Sequence, residues 1–184
     1  MRKFLFLALV IILVFGCGKS PEEKIFDYFQ EGLNQVERYE LDAALENFNK
    51  IGEINPTTPL GYFGTGLVYE REMLHYDALH VFMAITNSKP SFAPAFEGLW
   101  RILTYLELWD DASQAAAAYS QLLPSDPKAK LTLAEALINI NQYGRARKEL
   151  NEAAELGTNR TVVDLIIART YALEHRFDSA VAIF

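Results

Sequence analysis

The chain has 184 residues, which is sufficient for one domain with a hydrophobic core, and a formal net charge of −7 at pH 7. No basic block follows Arg2 and Lys3, so nucleic acid is not an expected partner, because phosphate binding requires clustered Lys and Arg. The single cysteine excludes an internal disulfide and supplies only one of the several ligands that a metal site requires.

The first predicted element is a short apolar segment at the N-terminus. Arg2 and Lys3 precede an unbroken apolar run from Phe4 to Phe15. A helix that spans a bilayer needs about 20 apolar residues, so this run is too short for a transmembrane segment. Positive residues before a short apolar run are typical of a secretory signal peptide, which we predict over residues 1–16.

The end of this segment resembles the lipobox of bacterial lipoprotein signals, in which a small residue precedes the cysteine that becomes lipidated. Residues Val14 to Cys17 fit that pattern except at Phe15, where the family prefers a small residue. The resemblance implies that the signal peptide is removed and that Cys17 carries the lipid. The alternative is an ordinary signal peptide followed by an incidental cysteine.

The same resemblance implies a location for the protein. Lipid on Cys17 would anchor the chain to a membrane of the bacterial cell envelope, facing the periplasm, and residues 17–24 would form the lipidated cysteine and a short tether. Residue 18 is glycine rather than aspartate. In enteric-type bacteria this implies transfer to the outer membrane rather than retention in the inner membrane.

The rest of the chain is repetitive. Alanines recur with a spacing of 34 residues, at Ala44, Ala78, Ala112, Ala146 and Ala180. Prolines keep the same spacing, at Pro56, Pro90 and Pro124. A fixed period of this length is the sequence signature of a repeat architecture. The recurring residue is the small alanine, which suits a point where two helices cross.

These columns resemble the tetratricopeptide repeat (TPR), and the second repeat matches its pattern best, with Tyr62, Gly66, Tyr69, Ala78, Phe82 and Pro90. The resemblance covers residues 25–184, with repeats at 25–58, 59–92, 93–126 and 127–160 and a partial repeat at 161–184. It implies an all-α, right-handed solenoid of helix-turn-helix units. The third repeat departs from the pattern, because Trp100 replaces the glycine and Ala116 the second aromatic, so its packing is expected to differ.

Catalytic signatures are not found in the sequence. There is no glycine-rich phosphate loop and no serine-centred nucleophile elbow. His75 and His80 are five residues apart, so they do not share a helix face as a metal-binding pair would. We therefore expect no enzyme activity, no metal, no cofactor and no small-molecule substrate.

A protein or peptide partner is expected instead, because in TPR proteins the first helix of each repeat lines a concave groove that holds one. The predicted groove residues are Phe26, Phe29, Leu33, Leu60, Phe63, Leu67, Arg101, Tyr105, Lys128, Leu131, Glu135 and Arg169. The first half of this groove would be apolar and aromatic, and the later half mixed and partly basic. Alternatively, Phe29 and Phe63 pack between neighbouring first helices and never reach solvent.

Two functions remain open on the sequence. The first is a membrane-anchored TPR lipoprotein that acts as a protein–protein interaction scaffold or adaptor in cell-envelope assembly. The second is the N-terminal regulatory or recruiting region of a larger, enzymatic protein. It rests on the position of Phe184, which falls midway through the second helix of the fifth repeat and suggests that the chain continues.

Overall fold

The computed structural model describes residues 18–184, so the predicted signal peptide and Cys17 lie outside the described residues. Between residues 18 and 184 all regular structure is helical. The helices are α1 (Pro21–Glu37), α2 (Leu41–Ile54), α3 (Leu60–Arg71), α4 (His75–Ser88), α5 (Ala93–Tyr105), α6 (Trp109–Leu122), α7 (Pro127–Asn139), α8 (Tyr143–Glu155), α9 (Arg160–Leu173) and α10 (Phe177–Val181).

The helices follow one another in pairs, one pair for each predicted repeat, and α10 is the short second helix of the last pair. The chain divides into two compact units, one ending at Gly64 and one formed by Thr65–Phe184, with the division inside α3. Each unit has its own set of fully buried side chains. Phe48 and Ile51 are buried in the first, and Phe82, Ile102 and Leu137 in the second.

The first helix begins earlier than the predicted repeat. Ser20 caps α1 by accepting a hydrogen bond from the Glu23 backbone N–H at 3.2 Å, and the Ser20 N–H donates to the Glu23 carboxylate at 2.7 Å. Pro21 occupies the first turn, where its missing N–H costs nothing. Residues 21–24, predicted as part of the tether, therefore belong to the helix.

The turn inside each helix pair is built in the same way five times. Residues with φ between 58° and 64° recur every 34 residues, at Tyr39, Met73, Glu107, Asn141 and His175. In the third turn the Glu107 N–H donates to the backbone carbonyl of Thr104 at 3.1 Å, and the Leu108 N–H donates to the backbone carbonyl of Leu103 at 2.9 Å. This is the Schellman pattern, which satisfies the last carbonyls of the first helix. Backbone hydrogen bonds, and not glycine, set these turns.

Phenylalanine and glycine fit together where the helices cross. Phe48 is buried between Gly32 and Gly64, and a Cβ added at Gly32 would come within 2.5 Å of its ring. One period later, the ring of Phe82 packs against Gly66 and Gly98 in the same way. A glycine is needed at these positions because the ring occupies the space that a side chain would fill.

The third repeat exchanges the two volumes. Trp100 stands one period after Gly66, and Ala116 stands one period after Phe82. Ala116 is fully buried in a cluster with Leu137, and the partly buried Trp100 packs against that cluster. The third repeat thus carries its large side chain on the first helix and its small one on the second. The predicted difference in packing is present, and the added volume of Trp100 compensates for the lost volume at Ala116. The Trp100 Nε1 atom is buried without a hydrogen-bond partner in the described structure.

Candidate functional site

The predicted groove residues occupy equivalent positions on the first helices of the pairs. In α1 they are Phe26, Phe29 and Leu33, whose spacing of three and four residues places them on one helix face. Adding one period at a time gives the corresponding residues of the later first helices, and Tyr105 lies one turn beyond Arg101. We term the surface formed by these positions within each unit the first-helix face of that unit.

The part of the first-helix face that belongs to the first unit is apolar. We term it the aromatic patch, formed by Phe26, Phe29, Leu33, Leu60 and Phe63. Phe26 is 63% exposed, whereas the other four side chains are half-buried. The centroid of the Phe29 ring lies 6.4 Å from that of Phe63 and 6.0 Å from that of Phe48. Phe29 and Phe63 thus pack against each other, as the alternative interpretation expected, but both keep part of their surface in solvent.

In the second unit the first-helix face carries a chain of ion pairs, which we term the charged ladder: Glu70, Arg101, Glu97 and Lys128. The Arg101 guanidinium donates from Nε and Nη2 to the two carboxylate oxygens of Glu70, both at 2.8 Å. Its Nη1 donates to Glu97 Oε1 at 3.0 Å, and the Lys128 Nζ lies 2.8 Å from the same oxygen. The ladder connects α3, α5 and α7.

The ladder balances its own charges, because two cations face two carboxylates. The later half of the predicted groove is therefore locally neutral at Arg101 and Lys128, not basic. Burial lowers the pKa of Arg101, but its hydrogen bonds and ion pairs with Glu70 and Glu97 outweigh this and the pKa is raised overall. A bidentate pair that is only partly exposed fixes the geometry of both side chains more firmly than a surface contact does.

Tyr119 of α6 lies next to the ladder. Its hydroxyl donates to the Asp126 carboxylate at 3.5 Å. Burial raises the pKa of Tyr119, and the negative charges of Glu97 and Asp126 raise it further. The phenol therefore stays neutral at physiological pH and acts as a hydrogen-bond donor.

Tyr105 presents its ring at the edge of the ladder. The ring is exposed, and its centroid lies 3.7 Å from the ring of His75 in α4. Both ring nitrogens of His75 are buried and have no hydrogen-bond partner in the described structure. His75, predicted to lie on the surface or at the edge of the groove, thus packs against Tyr105, while His80 is exposed on the same helix.

The remaining predicted residues are placed less tightly. Leu67 and Leu131 are half-buried, and Leu131 packs against the cluster that contains Val163. Glu135 and Arg169 are exposed. The structure therefore joins Arg101 to Lys128 through a shared carboxylate.

Sequence reasoning missed four residues of this face. Glu70 and Glu97 are the carboxylates of the ladder, and Val162 and Leu165 of α9 are exposed apolar residues. Three of them could have been found from the repeat register alone. Glu97 and Leu165 stand one period from Phe63 and Leu131, and Val162 stands one period after Lys128.

Metal-ligating clusters and membrane-spanning helices are both absent from the described part of the chain. Between residues 18 and 184 no group of three or more His, Cys, Asp and Glu side chains is arranged to hold a metal ion. None of the helices in that range is long and apolar enough to cross a membrane.

Comparison with known protein structures identifies the fold. No protein-family model and no curated protein matches the chain. Among solved structures, residues 41-end of MamA from Desulfovibrio magneticus RS-1 superpose with a TM-score of 0.72 and 15% identity, over 88% of this chain and 91% of that one. YrrB, described as a TPR protein with an unusual peptide-binding site, gives a TM-score of 0.71 and 19% identity, over 90% and 89% of the two chains.

A third likeness agrees with these. TTC0263, a thermophilic TPR protein of Thermus thermophilus, superposes with a TM-score of 0.64 and 16% identity, over 86% of this chain and 87% of that one. The protein therefore has the TPR fold. The predicted fold class, an all-α solenoid of helix-turn-helix repeats, is confirmed.

Proposed function

We propose that the protein is a scaffold of the bacterial cell envelope that is anchored by lipid on Cys17 and docks a segment of a partner protein on the aromatic patch of its first-helix face. The TPR fold supports the docking part of this proposal, because the fold is shared with YrrB, for which a peptide-binding site is described. The lipobox-like sequence Val14 to Cys17 supports the anchoring part.

The single observation that carries the docking proposal is the aromatic patch. Phe26 exposes most of its ring beside the half-buried rings of Phe29 and Phe63. Grouped aromatic residues at an exposed position are characteristic of interaction sites, since they bury a large apolar area with little loss of side-chain entropy. A partner segment with apolar side chains would complete the burial of these rings.

In the second unit the charged ladder is not expected to supply affinity. Its carboxylates and cations already satisfy one another, so a partner gains little by competing for them. Tyr105, one turn after Arg101 on the same helix, offers an exposed aromatic side chain instead. Affinity for the partner is thus assigned to the aromatic patch.

Replacement of Phe63 by glutamate tests this assignment. Phe63→Glu places a charge in the aromatic patch, and we expect partner capture from crosslinked envelopes, measured by mass spectrometry, to fall about tenfold or more. The helical circular dichroism signal should be unchanged, because the side chain is only half-buried.

Tyr62→Glu is the matched control. Tyr62 precedes Phe63 on the same helix, is exposed and points to a different face. Its replacement should leave the captured partners and their amounts unchanged. Equal capture by the Phe63→Glu variant and the original protein would exclude the aromatic patch as the docking surface.

A further inference from the structure

The second unit has an apolar surface of its own. A cavity of about 370 Å³ opens between α4, α5 and α6. Its walls include Leu79 and Met83 of α4 and Phe96, Leu99 and Leu103 of α5. Ligand cavities in proteins are mostly apolar and start at about 300 Å³, so this one is large enough to receive a bulky side chain.

The cavity is separate from the charged ladder. Leu99 and Leu103 lie on one face of α5, at a spacing of four residues, whereas Glu97 and Arg101 of the ladder lie on another. Neither ladder residue lines the cavity. A molecule in the cavity would therefore leave the ladder and its ion pairs in place.

Small side chains on α6 leave the space open. Residues 115–118 are all alanine, and Ala115 lines the cavity at the position where Val81 stands one period earlier. Met83 and Leu108 also line it and remain 45% and 44% exposed. The apolar wall is thus continuous with exposed apolar side chains, and methionine can adapt its shape to different occupants.

The rim of the cavity is acidic. Asp111 and Gln114 line it, and Glu107 in the preceding turn and Asp110 in the first turn of α6 are both exposed. Within residues 18–184 none of these three carboxylates forms an ion pair, whereas the carboxylates of the ladder do. Asp110 and Asp111 suit the positive end of the α6 dipole, but Glu107 precedes the helix and gains nothing from it. An apolar cavity with unpaired negative charge at its mouth complements a cationic, amphipathic ligand.

We propose that this cavity is a second docking site, which binds a partner segment that presents one bulky apolar side chain beside a lysine or arginine. The apolar side chain enters between Leu79, Leu99 and Leu103, and the basic group pairs with Asp111 at the rim. A cavity of about 150 Å³ is sufficient to bind benzene, so this cavity accommodates a leucine or phenylalanine side chain with space for part of its neighbour. With the first-helix face, the protein would bind two segments at once.

Two blocked tetrapeptides, Lys-Leu-Phe-Lys and Glu-Leu-Phe-Glu, provide the test. Each is titrated into the protein lacking residues 1–17, and methyl resonances of Leu79, Leu99, Leu103 and Ala115 are followed by NMR. The basic peptide should shift these methyl signals and bind about tenfold more tightly than the acidic one. The Phe63→Glu variant should bind it equally well, which separates this site from the aromatic patch.

Matched variants locate the binding. Ala115→Phe fills the cavity and should reduce affinity for the basic peptide about tenfold, whereas Ala118→Phe, on the same helix but outside the cavity, should not. Asp111→Asn should remove most of the preference for the basic peptide. Asp77→Asn, at the equivalent position of α4, should leave that preference unchanged.

Several results would overturn the proposal. These are no methyl shifts at millimolar peptide, equal affinity for both peptides, shifts confined to methyl groups outside the cavity, or the same loss in Ala115→Phe and Ala118→Phe. If Ala115→Phe does not fold, as judged by circular dichroism, the affinity of Ala115→Val for the basic peptide is measured instead. This substitution introduces the residue already present at position 81 and should weaken binding in the same direction.

Discussion

Individual glycines decide how closely the helices of this protein approach. Gly66 lies against the ring of Phe82, and a Cβ at that position would come within 2.6 Å of a ring carbon. Gly52 lies in α2 with nothing within 4 Å of the place where its Cβ would be. The same residue type thus fills a steric requirement at one position and only weakens the helix at the other.

We expect alanine to act in opposite directions at these two glycines. Gly66→Ala forces the buried Phe82 ring to move and should lower the free energy of unfolding by about 1–3 kcal/mol. Gly52→Ala should raise it by roughly 0.5–1 kcal/mol, because alanine is the better helix former and meets no neighbour. Urea denaturation followed by circular dichroism measures both. A stabilised Gly66→Ala variant would contradict the packing described for Phe82.

At the scale of the helix pair, the volume exchange in the third repeat is the main departure from its neighbours. Trp100 and Ala116 replace the glycine and phenylalanine of the second repeat. Thr132 stands where Gly98 contacts Phe82 one period earlier, so a ring at position 116 would have less space on its far side. The third pair therefore uses its large side chain on the first helix.

A double-mutant cycle tests this exchange. Trp100→Gly opens a void and should cost about 3–5 kcal/mol, and Ala116→Phe overpacks the crossing and should cost about 1–3 kcal/mol. The combined variant should lose less than the sum of the two, since the new ring fills the void. Some cost should remain, because Thr132 is retained. Additive losses in thermal or urea unfolding would show that the two positions do not share one space.

The helix pairs also show what can be read from a sequence of this kind. The period of the alanine and proline columns predicted the fold, because helix crossings and helix ends impose the same residue at each repeat. Sequence Ser20 to Glu23 contains a capping box, from which the early start of α1 could have been predicted. The five turns could not, since five different residue types adopt the same positive φ.

The site was less predictable than the fold. The register located Phe26, Phe29 and Phe63, but it could not give their exposure, which depends on the neighbouring helix. The pair Glu70–Arg101 joins residues 31 positions apart, on two different first helices, and no local pattern indicates it. The cavity beside Ala115 exists because no side chain fills that space. The alanine run by itself predicts only a good helix, and the cavity becomes visible only when the positions of the neighbouring helices are known.

At the scale of the whole molecule, the proposed anchor would determine where docking happens. Because α1 begins at Pro21, only three residues separate Cys17 from the first helix, and Phe26 follows within two turns. A lipid on Cys17 would hold the aromatic patch close to the membrane surface. Membrane attachment raises the effective concentration of partners at the same surface without any additional contact.

Cys17→Ala tests the anchor. The variant cannot be lipidated, so we expect it to move from the membrane fraction to the soluble periplasmic fraction, because stable anchoring requires acyl chains. Immunoblots of separated fractions measure the change, and Ser20→Ala serves as the control in the same segment. Unchanged fractionation would argue against lipidation and leave the docking proposal intact.

The identical turns also define where the gene could lose or gain one repeat. Deleting residues 40–73 would join Tyr39 to Leu74, and the turn geometry would be kept, because Leu74 follows a residue of equal φ at its own turn. Gly32 would then face Phe82, which repeats the contact that Phe82 already makes with Gly66. Deleting residues 74–107 would instead place Gly66 opposite Ala116 and leave a void. The backbone therefore permits recombination at both of these turns, but side-chain volume favours the loss of residues 40–73 over the loss of residues 74–107.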